Sequence, residues 1–523
     1  MQPGSTRGTS PKSLRITAVA LLLVTALATR LHTPWQMGVI NDEMIHITNY
    51  HPEYENQRFL SWFHQFLMSD GHATDRSEIL RFDEVYNRSY LLQRLQYILI
   101  KDAHPPLLNI YAELVNCAPG HKLLILRLSA MVASLLSILL LYLAGKEYAG
   151  HVLGLWVSGF ATVSVIFRVY SGLGRPYAFA QMLLAFVLLS FLHHKRLQSA
   201  TLRPFLLVAL LAQSTDWILW PVIAPMILVA GYQRYQAIAS IKKIINEGWW
   251  YALISCALLV LFRLQTRIPN IARQLVEAHG QLPDWQSLAA ATPLAELGNL
   301  FGPPITGIAA ALFFMLCAIG LVKIAVNPER PRPERYALAA AMLAGVCVIF
   351  TVLPSSRYYI IPITILTFSA GIAINSTLGG RELSELAFSP MMAAALVVFL
   401  VKPEDPYAWF FADDTPYSSI AQRLSAEMKP GDVWFSEPYY MANNLYLYGA
   451  PSPLVPVHDE YDSATLERCA TVVNCYVLSR RDNDSRLHSA LTSPSVRVFT
   501  FENDFVLFLY PHTEAQLPAA ASE

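Results

Sequence analysis

The chain has 523 residues, 54% of them hydrophobic and only 15% charged, with mean hydropathy +0.36 and a formal net charge of zero. Soluble domains carry roughly 25% charge, so long apolar runs in a chain this poor in charge indicate a polytopic membrane protein. Zero net charge and no basic patch interleaved with aromatics exclude a nucleic-acid footprint, and six scattered cysteines exclude a disulfide scaffold.

A basic N-terminal segment (Arg7, Lys12, Arg15) precedes an apolar run from Leu14 to Leu31. Ala26-Leu27-Ala28 resembles a signal-peptidase site, but a polytopic chain follows, so the run reads as an uncleaved anchor. Its basic end stays in the cytoplasm, and Asn41-Asp42-Glu43 emerges on the far side. Two adjacent acids there either cap and solvate a helix start or supply a general base.

Residues 34–121 form a first large extracytoplasmic loop, rich in aromatics (Tyr50, Tyr54, Trp62, Phe63, Tyr86, Tyr97) that suit the membrane interface. It closes with Asp102-Ala103-His104-Pro105-Pro106-Leu107 and a short apolar stretch to Cys117, placed in the interface.

Apolar segments then recur at 122–145, 150–168, 176–193, 203–214, 217–232, 249–264, 304–325, 336–353, 357–376 and 385–401. With the first helix they make about eleven spans. Alternate connections are basic, as cytoplasmic loops should be: Lys146; Lys195, Arg196 and Arg203; Arg234, Lys242 and Lys243; Lys323, Arg330, Arg332 and Arg335; Arg381. The segment 203–232 fits this parity only as two short helices bent at Gln213-Ser214-Thr215-Asp216-Trp217. Such a bend lies below the membrane surface, where a carboxylate persists only beside a polar cavity or buried in protein. Residues 1–402 are thus the expected transmembrane domain, with 403–523 a small extracytoplasmic α/β domain: a helix near 417–428, a turn at Pro430-Gly431-Asp432, and strands near 433–435, 472–478, 496–501 and 505–510. Cys469 and Cys475 share that polar region, where a bridge is feasible.

The ordered motifs resemble those of GT-C glycosyltransferases of the protein-mannosyltransferase-like group (glycosyltransferase family 39-like), which includes bacterial lipid-A sugar transferases. Asn41-Asp42-Glu43 is similar to the group's acids after the first helix, and Ala103-His104-Pro105-Pro106-Leu107 to its His-Pro-Pro-Leu. Tyr170-Ser171-Gly172-Leu173-Gly174-Arg175-Pro176-Tyr177 resembles its Tyr-Ser-Gln-Glu-Ala-Arg-Pro-Tyr. Ser214-Thr215-Asp216-Trp217 falls where members carry Thr-His-Tyr, Ser356-Arg357-Tyr358 resembles a late Arg-Tyr, and Pro430-Gly431-Asp432-Val433 a turn of their C-terminal domains. Three departures stand out: Gly172-Leu173-Gly174 replaces Gln-Glu-Ala, Asp216 replaces a histidine, and Ala178-Phe179-Ala180-Gln181 carries no acid.

The resemblance implies a GT-C-like helical membrane protein of the bacterial inner membrane, with its N-terminus cytoplasmic. It implies inverting transfer of a sugar from a polyprenyl-phosphate donor to a hydroxyl of a lipid, polysaccharide or protein acceptor on the extracytoplasmic face. Asp42 is then the expected base, with Glu43 its substitute. Arg175 and Arg357 would grip the departing phosphate, helped by His104, Tyr177 and Tyr358, and Asp216 would touch substrate. For the arginines and tyrosines the competing role is interfacial anchoring, for His104 a structural turn, and for Asp216 a helix cap. No metal or other cofactor is expected. Two other functions remain open, a transporter of a lipid-linked saccharide and a non-catalytic scaffold.

Overall fold

A computed structural model describes residues 12–31, 106–116, 122–194, 201–261, 306–328, 332–351, 360–378, 381–401, 417–429, 432–437, 454–456, 474–480, 497–500 and 505–511, and the pairs 68–69 and 72–73. The chain divides into two compact units, the first comprising Met1–Met37, Leu99–Tyr111 and Leu123–Phe410, the second Gly38–Ile98, Ala112–Lys122 and Phe411–Glu523.

The first unit is a helical bundle. Its elements are α1 (Lys12–Leu31), the start of α2 (Pro106–Asn116), α3 (Lys122–Ala149), α4 (His151–Val163), α5 (Val165–Ser171), α6 (Tyr177–His194), α7 (Arg203–Gln213), α8 (Leu219–Ile238), α9 (Ile241–Leu261), α10 (Thr306–Val326), α11 (Arg332–Thr351), α12 (Ile360–Thr377) and α13 (Arg381–Val401). Among the described residues, each apolar segment expected from the sequence carries a helix. By length and composition, Ile125–Ala149 and Ile360–Thr377 are, among the described residues, the two helices able to cross a membrane on their own.

Besides its apolar core, the bundle buries small polar residues and exposes large apolar ones. Ser134, Ser137, Ser158, Thr162, Thr364, Thr367 and Ser369 are buried, while Leu23, Val24, Leu139, Leu228, Leu253, Val260, Met315, Val322, Leu343 and Leu400 are exposed. Apolar contact between helices gives no advantage over contact with lipid tails, so tight association falls to small residues and hydrogen bonds. The α10–α12 crossing shows how. A Cβ on Gly320 would overlap the carbonyl oxygen of Ser369, so only glycine permits this approach. Ser369 Oγ then donates to the carbonyl of Cys317 at 2.7 Å, and Cys317 Sγ to that of Leu366 at 3.4 Å.

Polar clasps at the helix ends report direction. Arg15 and Glu385, near the N-terminal ends of α1 and α13, lie 3.6 Å apart, so these helices run the same way. Glu247 of α9 receives Arg234 of α8 at 2.7 Å and the backbone N–H of Leu202, at the start of α7, at 2.9 Å. The start of α7, end of α8 and start of α9 are thereby tied together. Arg335 of α11 donates to the carbonyl of Ala325 near the end of α10.

In the second unit, α14 (Tyr417–Glu427) precedes a five-stranded mixed sheet ordered β4-β3-β5-β7-β6. Strands β3 (Val433–Glu437), β4 (Leu454–Pro456) and β5 (Asn474–Arg480) are parallel neighbours, whereas β7 (Phe505–Pro511) pairs antiparallel with β5 and with β6 (Arg497–Thr500). A two-residue ladder, β1 (Met68–Ser69) with β2 (His72–Ala73), also belongs here. Helix α14 buries Ile420, Ala421 and Leu424, the one-sided stripe of a helix lying on a sheet. The carboxylate of buried Asp432 then closes the turn into β3, accepting the N–H of Lys429 at 2.8 Å and Asn474 Nδ2 at 2.9 Å. Cys475 is disulfide-bonded; Cys256, Cys317 and Cys347 are free, and Cys469 lies outside the described residues.

Tyr476 of β5 donates its hydroxyl to the carbonyl of Glu427 at 3.0 Å, capping the end of α14. Burial, then the nearby Asp432 and Glu427 carboxylates, push its phenol up to about 12, against a smaller opposing pull from Arg497. A raised value means that the folded state favours the neutral phenol, whose stabilisation is complete below the ordinary tyrosine range and is lost as pH rises from there towards 12.

Two predictions follow from these contacts. Gly320→Leu should lower the melting temperature of the detergent-purified protein, costing about 1–3 kcal/mol by overpacking. Gly231→Ala, where an added Cβ meets nothing within 4 Å, should not lower it. Tyr476→Phe should cost about 1 kcal/mol at neutral pH, and its deficit against wild type should shrink in melts run between pH 10 and 12.

Candidate functional site

The expected site residues fall into two sets. Asp42, Glu43, His104, Arg357 and Tyr358 lie outside the described residues, whereas Arg175, Tyr177 and Asp216 are described. The positions of the latter three follow from two interruptions in the bundle.

The first interruption divides the expected 150–168 span. Ser164 adopts extended backbone (φ −61°, ψ 124°), ending α4 before α5 restarts the helix. A helix end leaves carbonyls without their usual N–H partners, and a side chain from another helix meets them here. The buried guanidinium of Arg30, at the end of α1, donates through Nη1 to the carbonyl of Thr162 at 2.6 Å and through Nη2 to that of Ala161 at 2.8 Å. Nη1 also meets Thr29 Oγ1 at 2.8 Å, and Nε lies 3.5 Å from Ser134 Oγ of α3. One arginine therefore joins α1, α3 and α4 at the break.

Helix α5 ends in the turn carrying the Arg-Pro-Tyr motif. The Gly172 N–H donates to the carbonyl of Val169 at 3.0 Å, and the Arg175 N–H to that of Leu173 at 2.7 Å. Gly172, Leu173 and Gly174 are buried. Pro176 stands just before the first residue of α6, where its missing N–H costs no helical bond. Tyr177 opens α6, its ring 4.9 Å from that of Tyr170 and its centroid 5.8 Å from the Arg175 guanidinium carbon. Arg175 is only 9% exposed, and the N-terminal end of α6 adds partial positive charge beside its cation.

The second interruption is the expected bend between α7 and α8. Helix α7 spans about 16 Å, while α8, at about 30 Å, continues six residues beyond the apolar segment at 217–232. Asp216, 6% exposed, accepts the Ile218 N–H on Oδ1 at 2.9 Å, and its carbonyl accepts the Leu219 N–H at 3.2 Å. Its carboxylate thus closes an Asx-type turn that leads into α8. Gln213 braces the bend: Oε1 accepts the hydroxyl of Tyr251 from α9 at 2.7 Å, and its carbonyl accepts Trp220 Nε1 at 3.2 Å.

Helix α2 joins these pieces. The N–H of Leu107, last residue of His-Pro-Pro-Leu, donates to the carbonyl of Ser214 in the bend at 3.0 Å. One turn on, Tyr111 lies 5.3 Å, centroid to centroid, from Phe179 of α6. Leu107 of His-Pro-Pro-Leu thereby meets the Ser-Thr-Asp-Trp bend, and the same helix meets α6 at Phe179, two residues past the Arg-Pro-Tyr motif. Arg175 supplies a buried cation and Tyr177 a phenol at the α5–α6 turn, and Asp216 supplies a carboxylate at the α7–α8 bend. Among the described residues no group of three or more His, Cys, Asp or Glu side chains is placed to hold a metal ion.

Two side chains of this region escaped the motif reading. Arg30 and Gln181 are both fully buried, and each is a polar residue within an otherwise apolar run, which was signal enough to single them out.

The helical bundle has a fold of the GT-C type. In particular, the chain is similar to ArnT from Cupriavidus metallidurans in the apo state, with TM-score 0.51 and 11% identity over 95% of this chain and 98% of that one. Weaker likenesses are to the archaeal oligosaccharyltransferase AglB from Archaeoglobus fulgidus in complex with an inhibitory peptide and a dolichol-phosphate (TM-score 0.44, 12% identity, 86% of this chain and 62% of that one). The Archaeoglobus fulgidus oligosaccharyltransferase in its apo form gives TM-score 0.46 and 12% identity over 90% and 70% of the two chains. No family model matches the chain, and no curated protein matches it by sequence. Identities this low carry the fold and no residue's role.

The Arg30 clasp makes its own prediction. Arg30→Ala removes the donors to two buried carbonyls and should destabilise the protein by about 3 kcal/mol, read as a lower melting temperature in detergent. Arg30→Lys should recover part of the loss.

Proposed function

We propose that the chain is an integral membrane glycosyltransferase that moves a sugar from a polyprenyl-phosphate donor to an acceptor hydroxyl on the extracytoplasmic face. The observation that carries the reading is that α2 meets both the Asp216 bend, through the Leu107–Ser214 hydrogen bond, and α6, the helix that the Arg175 turn leads into, through the Tyr111–Phe179 contact.

In the proposed reaction Asp42 takes the proton of the acceptor hydroxyl as its oxygen bonds to the anomeric carbon. The bond from that carbon to the phosphate oxygen breaks, and its electron pair leaves with the polyprenyl phosphate. Attack from the face opposite the phosphate inverts the anomeric centre. Arg175, with Arg357, stabilises the charge gathering on the phosphate through charge-assisted hydrogen bonds, and His104, Tyr177 and Tyr358 add donors. Asp216 orients the substrate by shaping the bend. The cations neutralise the leaving group, so the reaction is assigned no metal. Glu43 stands beside the base as its substitute.

The chain is placed in the bacterial inner membrane with its N-terminus in the cytoplasm. Alternating basic loops and the parallel course of α1 and α13 support this threading. The disulfide at Cys475 supports an extracytoplasmic second unit, since such bonds persist in oxidising compartments.

Purified protein in detergent with EDTA, supplied with polyprenyl-phosphate sugars and candidate acceptors, should release free polyprenyl phosphate. Asp42→Asn should abolish release, and Arg175→Ala should slow it by about 10²–10³-fold. Equal release by wild type and Asp42→Asn would remove Asp42 from its assigned role.

A further inference from the structure

Gln181 is fully buried on α6, and among the described residues neither its Nε2 nor its Oε1 has a hydrogen-bond partner. An unpaired buried amide is costly, and such groups in native structures call for an explanation. Within a membrane helix the cost is sharper, because no solvent is at hand to meet the group.

Its place in α6 points to what meets it. Gln181 is four residues after Tyr177, so it lies on the same helix face one turn further along. Long helical side chains lean back towards the N-terminus. Its carboxamide is therefore carried towards the turn holding Tyr177 and Arg175, where Tyr177 already contacts Tyr170 and Arg175. Ala178, one residue past Tyr177, packs against Ala130 and Ala133 of α3. Those small side chains bring α3 close on an adjoining face and provide no polar group of their own.

The chemistry of the amide selects the ligand. A carboxamide presents two donors and an acceptor side by side. A phosphate would use the donors and leave Oε1 unpaired, and a cation would do the reverse. Adjacent ring hydroxyls, each both donor and acceptor, satisfy both ends. We propose that Gln181 reads the sugar of the lipid-linked donor, pairing through Nε2 and Oε1 with ring hydroxyls while Arg175 holds the phosphate. This rests on the glycosyl-transfer reading above and adds a specificity-determining residue to it.

The test uses full-length protein in detergent and thermal-shift titrations with three lipids: bare undecaprenyl phosphate, and undecaprenyl phosphate bearing mannose or arabinose. Wild type should bind at least one sugar-bearing lipid about tenfold or more tightly than the bare lipid. Gln181→Met, unbranched and of similar volume, should lose that margin while keeping its affinity for bare undecaprenyl phosphate. Without lipid, Gln181→Met and Gln181→Leu should melt at or above the wild-type temperature, because each removes an unpaired amide. The proposal is overturned if Gln181→Met keeps the margin, if neither sugar improves on the bare lipid in wild type, or if both variants melt well below wild type without lipid. Failure of wild type to bind any of the three lipids would overturn the donor assignment itself, and this inference with it.

Discussion

The Arg30 guanidinium, seated on the carbonyls of Ala161 and Thr162, is the interaction on which the bundle's arrangement most depends. A helix broken within an apolar bundle exposes carbonyls that nothing nearby can hydrate. The break at Ser164 persists because a cation from α1 meets those groups, aided by Thr29 and Ser134. Burying a charge is itself costly unless it is fully hydrogen-bonded, and here the break supplies the acceptors. The clasp also settles where α5 begins, and α5 leads directly into the turn that presents Arg175. A structural need at one end of α1 thus determines the course of the chain into the candidate site.

The same economy recurs at the second interruption. The bend between α7 and α8 is closed by Asp216, braced by Gln213 against Tyr251, and tied by Ser214 to Leu107. At the opposite ends of these helices, Glu247 joins Arg234 and the Leu202 N–H, so the short hairpin is held at both ends. Rigid framing of this kind suits a site that must keep a cation and a carboxylate in fixed relation, since small misplacements are costly in catalysis. The close approach at Gly320 holds α10 to α12 in the same manner, through closeness rather than apolar area.

Much of this was legible in the sequence, and the reasons are physical. Apolar runs reported the helices, because a bilayer leaves little freedom in how a spanning segment satisfies its backbone. Loop charges required 203–232 to be two helices, and a break is found at Ser214 to Ile218. The expected 150–168 span hid its interruption, since Ser164 has no proline or glycine beside it and the stabilising group lies in another helix, 131 and 132 residues away at the two carbonyls. Motif resemblance pointed to Arg175, Tyr177 and Asp216, yet it noted Gln181 only within a stretch lacking the group's acid, although a polar residue in an apolar run that proves fully buried is a signal of its own. Asp216 shows the converse: its turn-closing bond to Ile218 is plain in three dimensions, whereas its sequence context gave no sign of that partner.

The central claim is that the region framed by α2, the Arg175 turn and the Asp216 bend receives the phosphate of a lipid-linked sugar. Cryo-electron microscopy of the full chain with bound undecaprenyl phosphate tests it most directly. The account predicts phosphate density against the Arg175 guanidinium, with the Leu107–Ser214 hydrogen bond intact beside it. Phosphate density at the opposite ends of the helices, near Arg234 and Glu247, would contradict it.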